Sequence, residues 1–189
     1  MTTQSLFESA LNEAVQVLQS LHALEATVRM AAEWCTEALM DGHKLLVCGN
    51  GGSACEGQHL VGELMGRYKK DRPSLPAVAM NADSAVLTCI GNDYSFEEVF
   101  ARQIRALGQA GDVVVAFSTS GNSPNVLRAL EAAGDSQLRS IAFLGHEGGA
   151  AAHLAGCSLI VPHKDTARIQ EGHQFLMHAL MEYIEAGRP

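Results

Sequence analysis

The segment Lys44–Arg67, KLLVCGNGGSACEGQHLVGELMGR, restricts the fold more than any other stretch of the chain. It opens with a short apolar run, Leu45–Cys48, that reads as a buried strand. A tight turn follows, Gly49-Asn50-Gly51-Gly52-Ser53, and then a helical stretch carrying His59 and Glu63. Strand, glycine turn and helix is the arrangement by which an α/β protein offers backbone N–H groups and a helix N-terminus to an anion. The glycines allow positive φ and a close approach of ligand to backbone. Ser53 stands where a helix cap belongs and is placed to donate to a phosphate oxygen. The turn lacks the dinucleotide pattern G-x-G-x-x-G, and no Gly-Lys-Ser/Thr closes it as in a Walker loop. Alone it marks either a phosphate site or a bare strand-to-helix turn.

The rest of the chain supplies the sheet around this unit. Ala77–Met80, Val113–Phe117, Ser140–Leu144 and Ser158–Val161 are further buried strands, and helical patterns separate them. The continuous apolarity of Val113–Phe117 suits a central parallel strand covered on both faces. The expected architecture is α/β: a doubly wound, five-stranded parallel sheet in the flavodoxin-like order 2-1-3-4-5. A helical stretch capped by Asn81-Ala82-Asp83-Ser84 and stopping at Gly91-Asn92-Asp93 is expected, with further helices from about Ser95 to Leu107, from Pro124 to about Ala133, and from about Thr166 to Ala186. Residues 5–41 read as helix in one or two pieces, with a break near Ser20–His22. Phe7, Leu11, Ala14 and Leu18 share one face, and Leu24, Val28, Ala31, Cys35 and Ala38 share another. So much helix before the first strand exceeds what one small sheet needs, which predicts that region 1–42 makes subunit contacts. The 189 residues fit one domain, 1–189.

In a 2-1-3-4-5 sheet the first and third strands lie side by side at the switch point, where ligands bind beyond the strand ends. The third strand runs into Ser118-Thr119-Ser120-Gly121-Asn122-Ser123-Pro124, with four hydroxyls in six residues and a proline suited to a first helical turn. Hydroxyls and backbone N–H groups at a helix N-terminus wrap a phosphate without Lys or Arg. Two such loops meeting at one crevice point to a phosphorylated small molecule. No nucleotide signature accompanies the loops, so a sugar phosphate is the economical ligand.

Charge and cysteine usage exclude other classes. The net charge is −8, and the only basic cluster, Arg67–Arg72, reads as a solvated loop after a helix, so nucleic acid is not expected as a partner. No apolar run approaches the length of a membrane span, and the first residues do not resemble a signal peptide. Cys35, Cys48, Cys55, Cys89 and Cys157 are scattered without a C-x-x-C and read as thiols of a reducing cytoplasm. His59 and Glu63 lie four residues apart on one helix face, which suits a metal couple, an acid/base element or a surface ion pair. The last helix carries Gln170, Glu171, His173 and His178, and His173 reads there as a solvated polar residue.

Four segments together, GNGGSACEGQHLVGELMGRY, IGNDYSFEEVF, GDVVVAFSTSGNSPNV and TARIQEGHQFLMH, resemble the phosphoheptose isomerases of the sugar isomerase (SIS) domain family. The resemblance covers nearly the whole chain. GNGGS and STSGNS are common to SIS proteins, whereas Glu63 in GELMGR with His178 in RIQEGHQFLMH is particular to the isomerases. It implies conversion of sedoheptulose 7-phosphate to D-glycero-D-manno-heptose 7-phosphate, with Glu63 and His178 as the catalytic acid/base pair. It implies substrate contacts from Asn50, Gly51, Gly52, Ser53, Asn92, Asp93, Ser118, Thr119, Ser120, Ser123 and Gln170. It further implies zinc held by His59, Glu63, Gln170 and His178, and a homotetramer with sites between subunits. Gln170 and His178 are eight residues apart, about 12 Å along a helix, which strains a shared ion. Glu56 and Gly57 stand where the family commonly has Asp and Ala; an acid there that touches sugar hydroxyls would shift substrate preference. The alternative is a non-catalytic SIS protein that binds a partner such as a replication initiator; a sugar-phosphate-sensing regulatory module would need a DNA-binding domain for which the chain has no room.

Overall fold

Five apolar runs become five parallel strands: the two at the centre are buried along their whole length, and the two at the edges are buried only in part. A computed structural model describes residues 5–187. The strands are β1 (Leu45–Gly49), β2 (Ala77–Ala79), β3 (Val113–Ser118), β4 (Arg139–Gly145) and β5 (Cys157–Val161), in the order β2-β1-β3-β4-β5. Register aligns Leu45 with Val113 and Gly49 with Phe117, so β1 and β3 end level with each other. Both of the expected loops therefore leave the sheet at the same crevice.

Two apolar layers flank the sheet. Inward residues of one face, including Leu45, Val47, Val115, Phe117 and Phe143, pack against α2 (Glu25–Met40), α3 (Gly52–Met65) and α8 (Thr166–Ala186). Leu46, Cys48, Val114, Ala116 and Leu144 form the other core with α5 (Ala101–Leu107) and α6 (Pro124–Asp135). Phe117 and Phe143 stack across β3 and β4 at 4.4 Å between centroids. The remaining helices are α1 (Leu6–Ser20), α4 (Ser84–Asp93) and α7 (Ala151–Leu154).

The N-terminal region breaks where expected: a 3-10 turn over Leu21–Leu24 separates α1 from α2. The stripe Val28, Ala31, Cys35 and Ala38 is buried against the sheet layer, as its spacing required. The α1 stripe behaves differently. Phe7 is 78% exposed and Leu11 53%, and Val17 is the one buried residue of that helix. α1 leans on α8 through Val17 and the bond from Arg168 Nη1 to Ala10 O at 2.7 Å, and its outward stripe is left uncovered within the protomer.

Three local expectations need correction. The helix foreseen over Ser95–Leu107 is a 3-10 turn, Phe96–Glu98, followed by the shorter α5, with Val99 and Phe100 buried at the joint between them. Ser53 is not a cap: α3 is capped by Gly51 at φ 56°, and Ser53 lies buried inside the first turn. The cluster 67–72 is not wholly solvated, because the Arg72 guanidinium is buried against Glu185. Of the five thiols, Cys35, Cys48 and Cys157 are buried while Cys55 and Cys89 are exposed. Burial pushes the Cys35 and Cys48 thiols up to about 12, so neither is a thiolate near neutrality.

Candidate active site

The crevice between β1 and β3 is held shut at its base by a pair of amides. Asn50 Nδ2 donates to Asn125 Oδ1 at 2.8 Å, and Asn125 Nδ2 donates back to Asn50 Oδ1 at 2.9 Å. Asn125, in the first turn of α6, is buried, so neither amide has water to fall back on at that end. The side chain of Asn50 thus ties the two loops together. Asn125 was not among the residues singled out from the sequence; its only signal there was its place one residue after Pro124 in a helix N-terminus.

The β3 loop is shaped from within and without. Ser118 Oγ accepts from Gly121 N at 3.1 Å and lies 3.3 Å from Ser123 Oγ. Ser120 Oγ accepts from Asn122 N at 3.1 Å. Outside the loop, Gly121 O accepts from Ala151 N at 2.9 Å, and Asn122 Oδ1 accepts from Ala150 N at 3.0 Å. Gly121 takes φ 63°, and Gly148 and Gly149 press against it so closely that a side chain has no room. Ser118 and Ser123 therefore meet beside the N-terminus of α6, with Thr119 half-buried and Ser120 exposed at the loop tip. Gly51, Gly52 and the exposed N-terminus of α3 border the same crevice across the amide pair.

Farther along α3 a second cluster forms with α8. His59 Nε2 donates to Glu63 Oε1 at 3.0 Å. Gln174 Nε2 lies 3.0 Å from His59 Nδ1 and 3.2 Å from His178 Nε2. With the amide donating to both rings, His59 carries its proton on Nε2, in keeping with its bond to Glu63. The His178 ring stacks on Tyr68 at 5.6 Å and meets His59 edge-on at 5.1 Å. Partial burial, together with His59 beside it, holds the His178 imidazolium below its usual pKa, so the ring is neutral and able to accept a proton at pH 7. Ligand atoms of His59, Glu63 and His178 lie within 4.8 Å of one another. Two imidazoles and a carboxylate at that separation are a donor set that fits Zn²⁺.

A family model described as "SIS domain" matches residues 11–145. A phosphoheptose isomerase of Bordetella avium is 50% identical over 171 residues, covering 89% of this chain and 87% of that protein. The solved phosphoheptose isomerase of Francisella tularensis superposes with a TM-score of 0.93 at 36% identity, covering 98% of this chain and 100% of that one. That of Neisseria gonorrhoeae gives 0.89 at 43% identity, covering 94% and 96%. The chain belongs to the phosphoheptose isomerase family.

Against that family's pattern, the structure distributes the candidate residues unevenly. Gln170 lies over the glycine turn: a Cβ on Gly52 would sit 3.0 Å from Gln170 Cδ. Gln170 precedes His178 by about two turns of α8, and Gln174, between them, lies within hydrogen-bond distance of both His59 and His178. Asn92 and Asp93 are exposed at the end of α4, where Asn92 Nδ2 donates to Asp93 Oδ1 at 2.8 Å; no hydrogen bond among the described residues links them to the loops. Glu56 does not face a sugar. It is buried, with Oε2 3.7 Å from Nδ1 of His173. His173 is fully buried as well, donating from Nε2 to Leu144 O at 2.9 Å, which corrects its reading as a solvated residue. The extra methylene of Glu56 reaches into the α3–α8 seam beside His173.

Proposed function

We propose that this chain interconverts sedoheptulose 7-phosphate and D-glycero-D-manno-heptose 7-phosphate through an enediol, the entry to bacterial heptose synthesis. One observation carries the proposal: α3 opens at the phosphate turn with one end and presents His59 and Glu63 to His178 with the other. Gly52 and Glu63 are eleven residues apart, about 16 Å by helical rise. A sugar phosphate anchored at the crevice extends its far carbons toward the cluster.

In this scheme Ser53, Ser118, Thr119, Ser120 and Ser123, with Gly51 and Gly52, hold the phosphate through hydroxyls and N–H groups at the start of α3 and α6. Gln170, beside Gly52, meets the hydroxyls next to the phosphate. Glu63 carries the proton between C1 and C2. His178, neutral at pH 7, moves the proton between the two oxygens. His59 holds the Glu63 carboxylate toward α8. His59, Glu63 and His178 would hold Zn²⁺, with Gln174 or Gln170 as the amide neighbour; when bound, zinc supplies Lewis-acid polarisation of the sugar carbonyl.

Assembly into a homotetramer with sites shared between subunits agrees with two features. The α1 stripe is exposed, and α4, which carries Asn92 and Asp93, has no buried residue in the protomer. A neighbouring copy over α4 would cover it and bring Asn92 and Asp93 to a site. A cytoplasmic location agrees with the five free thiols.

The test is incubation with sedoheptulose 7-phosphate in deuterated water. The expected result is aldose product carrying deuterium at the carbon that becomes C2, with exchange in Glu63→Gln slowed about 10²–10⁴-fold. No aldose from wild type, or wild-type exchange in Glu63→Gln, refutes the assignment.

A further inference from the structure

The cluster needs Glu63, on α3, and His178, on α8, to keep a fixed separation, and the loop that follows α3 also contributes Tyr68 against His178. One side chain reaches all three pieces. Arg72 Nη2 donates to Glu63 O at 2.6 Å and Nη1 to Leu64 O at 2.9 Å. Its Nε donates to Glu185 Oε1 of α8 at 3.3 Å. The other oxygen of Glu185 accepts from Lys69 N and Lys70 N, each at 3.2 Å, which fixes the loop immediately after Tyr68. The Arg72 and Glu185 side chains are only 9% and 4% exposed.

The chemistry of helix ends explains why an arginine is used. The last carbonyls of α3 have no partners within the helix; the cap at Gly66 satisfies Gly62 O, and Leu75 N donates to Leu64 O at 3.0 Å. Glu63 is in that last turn, so its carbonyl is one of the orphans. A guanidinium fork takes two adjacent carbonyls at once and places a cation where the helix dipole favours one. Arg72 thereby grips the backbone of the catalytic carboxylate itself. Glu185, pulled down in pKa despite its burial because Lys70 N, Lys69 N and Arg72 all donate to it, stays ionised as the counter-charge.

We infer that Arg72 and Glu185 are positioning residues that hold Glu63 in register with His178 and Tyr68. This rests on the assignment of Glu63 and His178 above. Neither residue touches the crevice loops, so the effect falls on turnover and not on phosphate binding.

The experiment measures kcat, KM and solvent-deuterium exchange well below the melting temperature for Arg72→Lys, Arg72→Met and Glu185→Gln. Lys44→Met serves as the control: it breaks another partly buried ion pair, Lys44 with Asp112 at 2.6 Å, which is at the opposite end of β1 from the site. The expected result is a fall in kcat and exchange of about 10–100-fold in Arg72→Met, with KM within twofold. Arg72→Lys, which keeps the charge and loses the fork, falls between it and wild type, and Glu185→Gln falls in the same direction. Lys44→Met lowers the melting temperature and leaves kcat unchanged. If Arg72→Met does not fold, Arg72→Lys and Glu185→Gln carry the test. Wild-type kcat in the Arg72 and Glu185 variants, beside a slow Glu63→Gln, overturns the inference alone. Wild-type exchange in Glu63→Gln overturns it together with the assignment on which it rests.

Discussion

Gly121→Ala adds one methyl group to the loop that is proposed to hold phosphate, and the structure sets what that methyl costs. Gly121 sits at φ 63°, where a residue with a Cβ is disfavoured by about 1–2 kcal/mol. The new Cβ would lie 2.5 Å from the carbonyl carbon of Gly148 and 3.0 Å from Gly149 N, and closer still to the oxygen. These are backbone atoms and have no rotamer through which to yield. Relief requires one loop to move by roughly 1 Å, and overpacking of that kind costs about 1–3 kcal/mol. The two terms together come to about 2–5 kcal/mol, against a total stability of roughly 5–15 kcal/mol. In a chain of this size that lowers the melting temperature by about 4–20 °C. The displacement also breaks the bonds from Ala150 N and Ala151 N that hold the loop, so Ser118 and Ser123 lose their mutual placement. KM for the sugar phosphate should rise at least tenfold at a temperature where the variant is folded. Calorimetry and steady-state kinetics on the same preparation test this. A melting temperature within 2 °C of wild type together with an unchanged KM would refute both the packing estimate and the role of the loop.

Ser118→Ala with Ser123→Ala removes two hydroxyls 3.3 Å apart and should raise KM far more than it lowers the melting temperature, as read by kinetics beside thermal unfolding. Asn125→Ala strips Asn50 of both amide bonds; at about 1 kcal/mol each, it should destabilise by about 1–3 kcal/mol in urea unfolding, with a higher KM because the loops are untied. A third test concerns acid stability. Burial works upward on the Asp112 carboxyl, but bonds from Lys44 Nζ, Lys44 N and Gln109 N prevail and hold its pKa below the ordinary value. A depressed folded pKa contributes stability that is complete above the unfolded value of about 3.9 and is lost as pH falls through the folded one. Lys44→Met should therefore be less stable at neutral pH and should begin its acid unfolding at a higher pH than wild type. Coincident acid transitions for the two proteins would contradict the ion pair's role.

The sheet was legible because its strands are short continuous apolar runs, and only a parallel sheet buried on both faces uses such runs at this spacing. The last helix was legible at both ends, since Asp165 caps its start by accepting from Ala167 N and Gly187 follows its end. Burial of polar residues was not legible. His173 and Glu56 sit on amphipathic helices at positions whose exposure depends on how α3 and α8 meet, and periodicity within one helix does not encode that. Arg72 was hidden for a similar reason: its partner Glu185 is 113 residues away, and in sequence it is one cation among several. Gln174 escaped notice because an amide four residues before a histidine is ordinary on any helix, and only the approach of His59 from α3 gives it a role. The stripe of α1 was visible as apolar spacing, and the excess of helix pointed to subunit contacts; which of the N-terminal stripes lies outward is seen only in the fold.

The amide pair between Asn50 and Asn125 also sets an order of events during synthesis. Its two halves are 75 residues apart, and they meet only once β3 has paired with β1. A growing chain that has released β1 and β2 has a strand with one edge covered and the other bare, waiting for residues 113–118. Until that third strand arrives, the glycine turn has no opposite wall and no second set of hydroxyls. The tie between the two loops thus waits for residues 113–125, and the bonds from Ala150 N and Ala151 N that brace the second loop come later still.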